Sequence, residues 1–408
     1  MTATSAAPLV ILTHVCHPAI TEGFLPAAHA LGLPVWLLTD HRLDHLSYFR
    51  EHPAHAPQRV IECDVFNPLG VLDVLHDADV SPRAVFSNSD HLQTSTALVA
   101  AGLGLPGKDW QVCYAAKNKA AMRQRLRARG LPSPWFCTLA PGAALPADIA
   151  WPVVAKPREG VASLDVRHCA DDLQLQAYLD DVWQRHPQRT VLLEGMLEGD
   201  LFTLETLGDG HTLQALGGFK VRLSPPPHFV ECEEQWDARV DTPVIAQALE
   251  QLRSFGVGFG LCHSEFILTT DGPVLVEINY RSIGDRREFL LDSMFGKQWF
   301  NAALAPHLGL PLPHLRSDRA HALLRYYVAE QDGELVAASE DRRHHTAHSD
   351  VQYRRMRAPG ERIRLSHSNK DYLGVLSALA SDAQALEQAV VHAEAGLQWR
   401  IDSAELRA

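Results

Sequence analysis

Between residues 8 and 105 short apolar runs alternate with helical patterns, and this alternation constrains the fold more than any other feature of the chain. PLVILTHV, LPVWLLTD, QRVIECDV and PRAVFSNSD read as strands, with ITEGFLPAAHALG and NPLGVLDVLHDAD as helices between them. Strand–helix alternation at this spacing predicts a parallel, doubly wound α/β unit. The first strand-to-helix turn, THVCHPAITEG, lacks G-x-G-x-x-G, which argues against a dinucleotide site there.

Beyond this unit the pattern changes to α+β. DWQVCYAAKNKAAMRQRLRARG (109–130) reads as one basic helical segment ending at Gly130. VVAKPREGVASLDVRH reads as strand, glycine-containing loop and strand, and LQLQAYLDDVWQRH as an amphipathic helix. TVLLEGMLEGDLFTLETL reads as two strands around an acidic turn. The proline triplet in GGFKVRLSPPPHFVECEEQW predicts a loop, because proline fits no regular interior. PVIAQALEQLRSFG is a helix, and CHSEFILTTDGPVLVEINYRS (262–282) is a hairpin around Asp271-Gly272. The last part, from about residue 310, mixes strands (HALLRYYVAE) with a closing helix (DAQALEQAVVHAEAGL).

The formal net charge of -12 argues against wrapping a nucleic-acid backbone or lying on an anionic membrane. Seven cysteines, odd in number and scattered without C-x-x-C, suit reduced thiols and a cytoplasmic location. No basic stretch precedes the first apolar run, so that run reads as a strand and not a signal peptide. No apolar stretch approaches the roughly 20 residues needed to span a bilayer.

Chemistry concentrates in the hairpin. Alternation puts His263, Glu265 and Ile267 on one face of the first strand, and Glu277, Asn279 and Arg281 on one face of the second. The turn brings Glu265 opposite Glu277 and Asn279. Two carboxylates and an amide oxygen are a hard-oxygen set suited to Mg²⁺, and Arg281 can grip a phosphoryl group. The same pattern also suits the solvated face of a sheet. Lys156, at the end of an apolar strand before a Gly/Ser loop, suits phosphate binding, or a surface hairpin. Most charges of the basic segment read as a solvated face. RRHHTAH (342–348) reads as an exposed loop rather than a metal site.

In this order the elements resemble the ATP-grasp superfamily, in its carboxylate–amine ligase branch near carnosine synthase and biotin carboxylase. The motif E-x-N-x-R (Glu277, Asn279, Arg281) is the most specific part, and Lys156-Pro157 with its glycine loop is next. The resemblance implies an N-terminal doubly wound α/β domain (1–108) and a lid subdomain with linker helix (109–190). It also implies a large subdomain with the Mg/ATP site (191–308) and a biotin-carboxylase-like C-terminal subdomain packed on it (309–408). It implies ATP phosphates at Lys119 and Lys156, and a loop from Arg158 to Ser163 closing over them. Glu194 would face the adenine amino group, and the backbone of Met196 and Leu197 would hold its edge. Two Mg²⁺ ions, with Mn²⁺ an admissible substitute, would sit on Glu265, Glu277 and Asn279, and Arg281 would stabilise the transferred phosphoryl.

Three departures stand out, the first being a phosphate loop with fewer glycines than many relatives have. Leu201 replaces the family's ribose-binding glutamate, leaving Asp200 as the substitute, and Tyr280 replaces the usual proline. The implied reaction is amide formation from a small carboxylate and an amine, through an acyl phosphate. Substrate contacts are expected from Lys220, Arg222, Glu231, His263, Arg286 and Arg287, with Glu231 for the amine and Arg222, Arg286 or Arg287 for a carboxylate, although the loop charges also suit a solvated surface and His263 a buried, hydrogen-bonded histidine. A homodimer is the assembly common in the family. NYRSIGDRREFLLD is similar to ligases of siderophore biosynthesis. The rival readings are a biotin-carboxylase-like carboxylase, disfavoured because no biotin-attachment segment is seen, and a non-catalytic ATP-binding regulator.

Overall fold

A computed structural model of the chain describes residues 6–160, 162–317 and 321–403. Four strands, β1 (Leu9–Leu12), β2 (Val35–Thr39), β3 (Arg59–Glu62) and β4 (Ala84–Phe86), form a parallel sheet in the order β3-β2-β1-β4. β1 and β2 are buried at every position, as parallel strands covered on both faces must be. Leu9 and Ile11 feed one apolar cluster with Phe24 and Leu25, while Val10 and Leu12 feed another with Val71 and Leu75. A helix, Arg42–Glu51, connects β2 to β3. Its buried residues are only His45 and Phe49, too sparse a stripe to stand out in sequence.

The basic segment is two helices, Trp110–Lys117 and Lys119–Ala128, not one. Asn118 takes an extended conformation and its side chain accepts the Ala121 N–H at 3.1 Å, ending one helix and capping the next. Both helices contribute to the core with Leu275 and Ile278 of the hairpin, through Val112, Cys113, Met122 and Leu126.

A second sheet is antiparallel: β5 (Phe136–Leu139), β6 (Val153–Pro157), β7 (Arg167–Cys169) and β8 (Val191–Gly195), in the order β5-β8-β6-β7. The helix Asp172–Arg185 covers it with Leu175, Tyr178, Leu179 and Val182. The sheet thus runs to Gly195.

The remaining strands are β9 (Asp200–Asp209), β10 (Leu213–Leu223), β11 (Glu231–Asp237), β12 (Phe259–Thr269), β13 (Gly272–Asn279), β14 (His321–Val328), β15 (Gly333–Ala338), β16 (Arg342–His345), β17 (Ser349–Arg355), β18 (Arg362–Ile363), β19 (Tyr372–Ala380) and β20 (Trp399–Asp402). Nine of them make one sheet, β13-β12-β9-β10-β11-β14-β19-β17-β16, and β18-β15-β20 make a small one. The large sheet passes from β11 to β14 without a break, so the C-terminal segment extends it edge to edge. The stretch predicted as loop around the proline triplet is only partly so. Lys220–Leu223 and Glu231–Trp236 belong to paired strands, and only the residues between them form the loop. RRHHTAH is not simply a loop either: Arg342–His345 form β16, an exposed edge strand.

Candidate active site

Between the second sheet and the large sheet lies a cleft of about 830 Å³. Lys156, Ser163, Glu194, Met196 and Leu197 line it from the smaller sheet and its loops, Asp200 from the start of β9, and Lys119 from its helix. Glu265, Glu277, Lys220, Arg222 and Glu231 line it from the large sheet. His263, Asn279, Arg281, Arg286 and Arg287 lie off its lining.

The hairpin register is as expected. Glu265 pairs with Glu277, and His263 with Asn279, so all four share one face. A bulge after Glu265 lets Phe266 pair with Leu275 and stops the alternation there. Each carboxylate has a cation beside it. Lys119 Nζ is 2.9 Å from Glu277 Oε1 and donates to Gly160 O at 3.1 Å. His263 Nε2 is 3.6 Å from Glu265, while its Nδ1 meets Glu205 at 2.6 Å. Burial alone would lower the His263 pKa, but Glu205 and then Glu265 outweigh it and push it up to about 10. His263 is thus a buried, hydrogen-bonded histidine that bridges Glu205 and Glu265, which favour its charged form there. The two carboxylates and the Asn279 amide fit a hard divalent cation such as Mg²⁺.

Glu194 lines the cleft between two cations. Its carboxylate faces Arg123 Nε at 2.6 Å and Lys156 Nζ at 2.6 Å, all three side chains being buried. Burial would raise its pKa, yet the two cations hold it down at about 2. Glu194 thereby fixes Lys156 at the cleft wall. Arg123 also donates to Leu275 O at 2.5 Å and Val276 O at 3.0 Å, tying the triad to the hairpin. Arg123 was hidden in the basic segment. Its one sequence signal is its spacing of four from Lys119, which puts both on one helix face. The Met196 N–H donates to Pro152 O at 2.8 Å, so it is not free for a base edge.

The loop after Lys156 holds Ala162, Ser163 and Asp165 at positive φ, where non-glycine residues are strained. Val161 lies outside the described residues. Asp165 is held by Arg185 at 2.8 Å and Arg189 at 2.7 Å, and the Asn369 N–H donates to Ala162 O at 3.1 Å. Gly199 precedes β9 because a Cβ there would lie 2.1 Å from Leu268 O.

Glu231 and Arg287, both expected at the substrate, meet one another in the structure. Arg287 is buried, 2.9 Å from Glu231 and 3.0 Å from Glu234. Glu231 still lines the cleft, whereas Arg287 lies off its lining. Burial, only partly opposed by Arg287, raises the Glu234 pKa well above the carboxylate range. Lys220 and Arg222 are exposed, 3.7 Å from Asp237 and 3.4 Å from Glu233. Arg286, at φ 75°, lies 3.8 Å from Glu22. Arg281 donates to Ser282 O at 2.8 Å, and it joins Lys117 in lowering the pKa of Asp90 against the effect of burial. Ser282 N–H donates to Asn88 Oδ1 at 3.1 Å, so the strand end abuts the parallel domain. Tyr280 has its own use: Gly258 and Phe259 N–H groups donate to its hydroxyl at 3.1 and 3.0 Å.

A lid sheet and a large sheet enclosing a cleft, after a parallel N-terminal domain, define the ATP-grasp fold. The L-amino acid ligase of Bacillus licheniformis superposes with a TM-score of 0.76 at 19% identity, covering 98% of this chain and 100% of that one. In sequence, protein y4rH of Sinorhizobium fredii is 27% identical over 335 residues, 78% of this chain and 68% of that protein. A D-alanine–D-alanine ligase of Oleidesulfovibrio alaskensis is 28% identical over 231 residues, 53% of this chain and 74% of that enzyme. No protein-family model matches the chain. Among the described residues no helix is long and apolar enough to cross a membrane.

Proposed function

We propose that the chain is an ATP-dependent carboxylate–amine ligase acting on small molecules such as amino acids or polycarboxylates. The observation that carries this reading is the facing pair Glu265 and Glu277, with Asn279 on the same face, across a cleft from the paired Lys156. The names of the matching ligases support it.

In this reading Lys119 and Lys156 hold the ATP phosphates, Ser163 and its loop cover them, and Leu197 takes the base edge with Met196 beside it. Asp200 takes the ribose. Mg²⁺ on Glu265, Glu277 and Asn279 would neutralise phosphate charge and act as a Lewis acid. A substrate carboxylate oxygen attacks the γ-phosphorus as its bond to ADP breaks. The amine nitrogen then attacks the acyl carbon; phosphate leaves and the nitrogen loses a proton. Arg281, at the end of the hairpin strand, offsets the repulsion between carboxylate and triphosphate, as Mg²⁺ would. The covering loop excludes water, which would otherwise hydrolyse the acyl phosphate.

The test is ADP release from Mg²⁺-ATP across a panel of amino acids and polycarboxylates, singly and in pairs. Release that requires a particular carboxylate–amine pair, with the amide as product, supports the reading. ATP binding without release for any pair counts against it.

A further inference from the structure

A second cluster of metal-ligating side chains lies on the N-terminal sheet, outside the cleft. β1 is followed by Thr13-His14, and β2 ends in Thr39 followed by Asp40-His41. The parallel register pairs Leu12 with Leu38, which brings Thr13 level with Thr39 and His14 level with Asp40. Thr13 N–H donates to Leu38 O at 3.1 Å. Thr39 Oγ1 donates to His14 O at 3.1 Å and accepts the His41 N–H at 3.1 Å. One threonine thus ties both turns together and fixes where the side chains leave the backbone.

We propose that His14, Asp40 and His41 form a binding site for a single d-block divalent cation of the Zn²⁺ class. One donor atom from each residue lies within 4.8 Å of the other two. The His14 and His41 rings meet edge-on, with centroids 4.6 Å apart. Two imidazoles and one carboxylate suit Zn²⁺ or Co²⁺, whereas Mg²⁺ prefers oxygen alone. Three protein ligands leave a fourth position for water or a small ligand.

The surroundings are also those of a metal site. Asp44 Oδ2 is 3.3 Å from His41 Nδ1, a carboxylate that orients the ring and leaves its other nitrogen to ligate. His14 Nδ1 is 2.8 Å from Asp40. Zn–N bonds of about 2.0–2.1 Å would set tetrahedral donors about 3.3 Å apart, so this pair opens by about half an ångström, which side-chain rotation supplies. The three side chains are 34%, 28% and 42% exposed, which gives an ion a way in. The cluster stands at the carboxyl ends of parallel strands, where open α/β sheets bind ligands.

The test uses the full chain, stripped with a chelator and saturated with Mg²⁺ to occupy the hairpin carboxylates. Co²⁺ is then added and followed by visible absorption and calorimetry. One Co²⁺ per chain, with the strong visible bands of low coordination and displacement by Zn²⁺, is expected. His41→Ala and Asp40→Asn should each weaken it by about a hundredfold or more. Glu265→Gln and His344→Ala should leave it unchanged. His41 is surface-exposed and Asp40→Asn is nearly isosteric, so both variants keep the fold, checked by circular dichroism. No Co²⁺ binding beyond Mg²⁺, or binding that survives either His41→Ala or Asp40→Asn unchanged, overturns the proposal.

Discussion

The two walls of the cleft carry opposite charge imbalances. On the lid side, Arg123 and Lys156 surround the single carboxylate of Glu194, two cations against one anion. On the hairpin side, Glu205, Glu265 and Glu277 outnumber Lys119 and the His263 imidazolium. In the proposed reading the lid wall receives anionic phosphates and the hairpin wall a cation. A nucleotide triphosphate with its divalent ion brings both charges in one ligand, which neither wall alone would hold. Neither imbalance is left bare. Each unpaired charge sits in a network whose other members hold its side chain in place before ligand arrives, so little reorganisation is needed at the moment of reaction.

The sharpest way to break this contrast is to neutralise the hairpin wall. Glu277→Gln should lower steady-state ADP release by roughly 10²–10³-fold while leaving the chain folded, read by circular dichroism alongside turnover. Breaking the lid wall should register in stability first. Arg123→Met leaves the buried Glu194 with one partner, and loss of one member of a buried network costs about 3–5 kcal/mol, measured by urea unfolding at neutral pH.

The two walls also respond oppositely to pH. The His263 pKa, raised to about 10 from an ordinary 6.5, contributes stability that is full below about 6.5 and lost as pH climbs through 10. The Glu194 pKa, held at about 2 from an ordinary 4.5, contributes stability that is present above 4.5 and lost as pH falls through 2. Glu205→Gln should therefore flatten the alkaline fall, by a few kcal/mol between pH 6.5 and 10, and leave the Glu194 contribution to the acid limb in place. Urea midpoints across that range read the difference. An alkaline limb identical to that of the unsubstituted chain would show that His263 is not held as a cation. The smallest effect is expected at the join between the walls. Asn118→Ala removes the cap that separates Lys117 from Lys119 and should cost about 0.5–2 kcal/mol, with a weaker apparent ATP affinity as Lys119 loses its fixed start.

The hairpin wall was legible in the sequence and the lid wall was only half so. Period-two alternation and a tight turn suffice to pair Glu265 with Glu277, because both are local properties of one short segment. The lid triad joins residues 123, 156 and 194 from three separate elements, and no local pattern reports such a meeting. In sequence Arg123 looks like one more solvated charge beside Arg125, Arg127 and Arg129; only tertiary packing buries it. Asn118 looked like one more polar residue in a helix, since a cap is identified by backbone angles that composition does not state. The proline triplet was a true loop signal whose reach was overread, as the strands on either side begin within a few residues of it. Continuation of the large sheet from β11 into β14 rests on pairing across about 90 residues of chain and left no trace in local sequence.

The measurement that tests the central contrast most directly is equilibrium ATP binding with and without Mg²⁺, in the unsubstituted chain and in Glu265→Gln/Glu277→Gln. The account predicts that Mg²⁺ tightens ATP binding to the unsubstituted chain, and that the double substitution abolishes this dependence while ATP alone still binds. A Mg²⁺ dependence that survives the double substitution unchanged would contradict it.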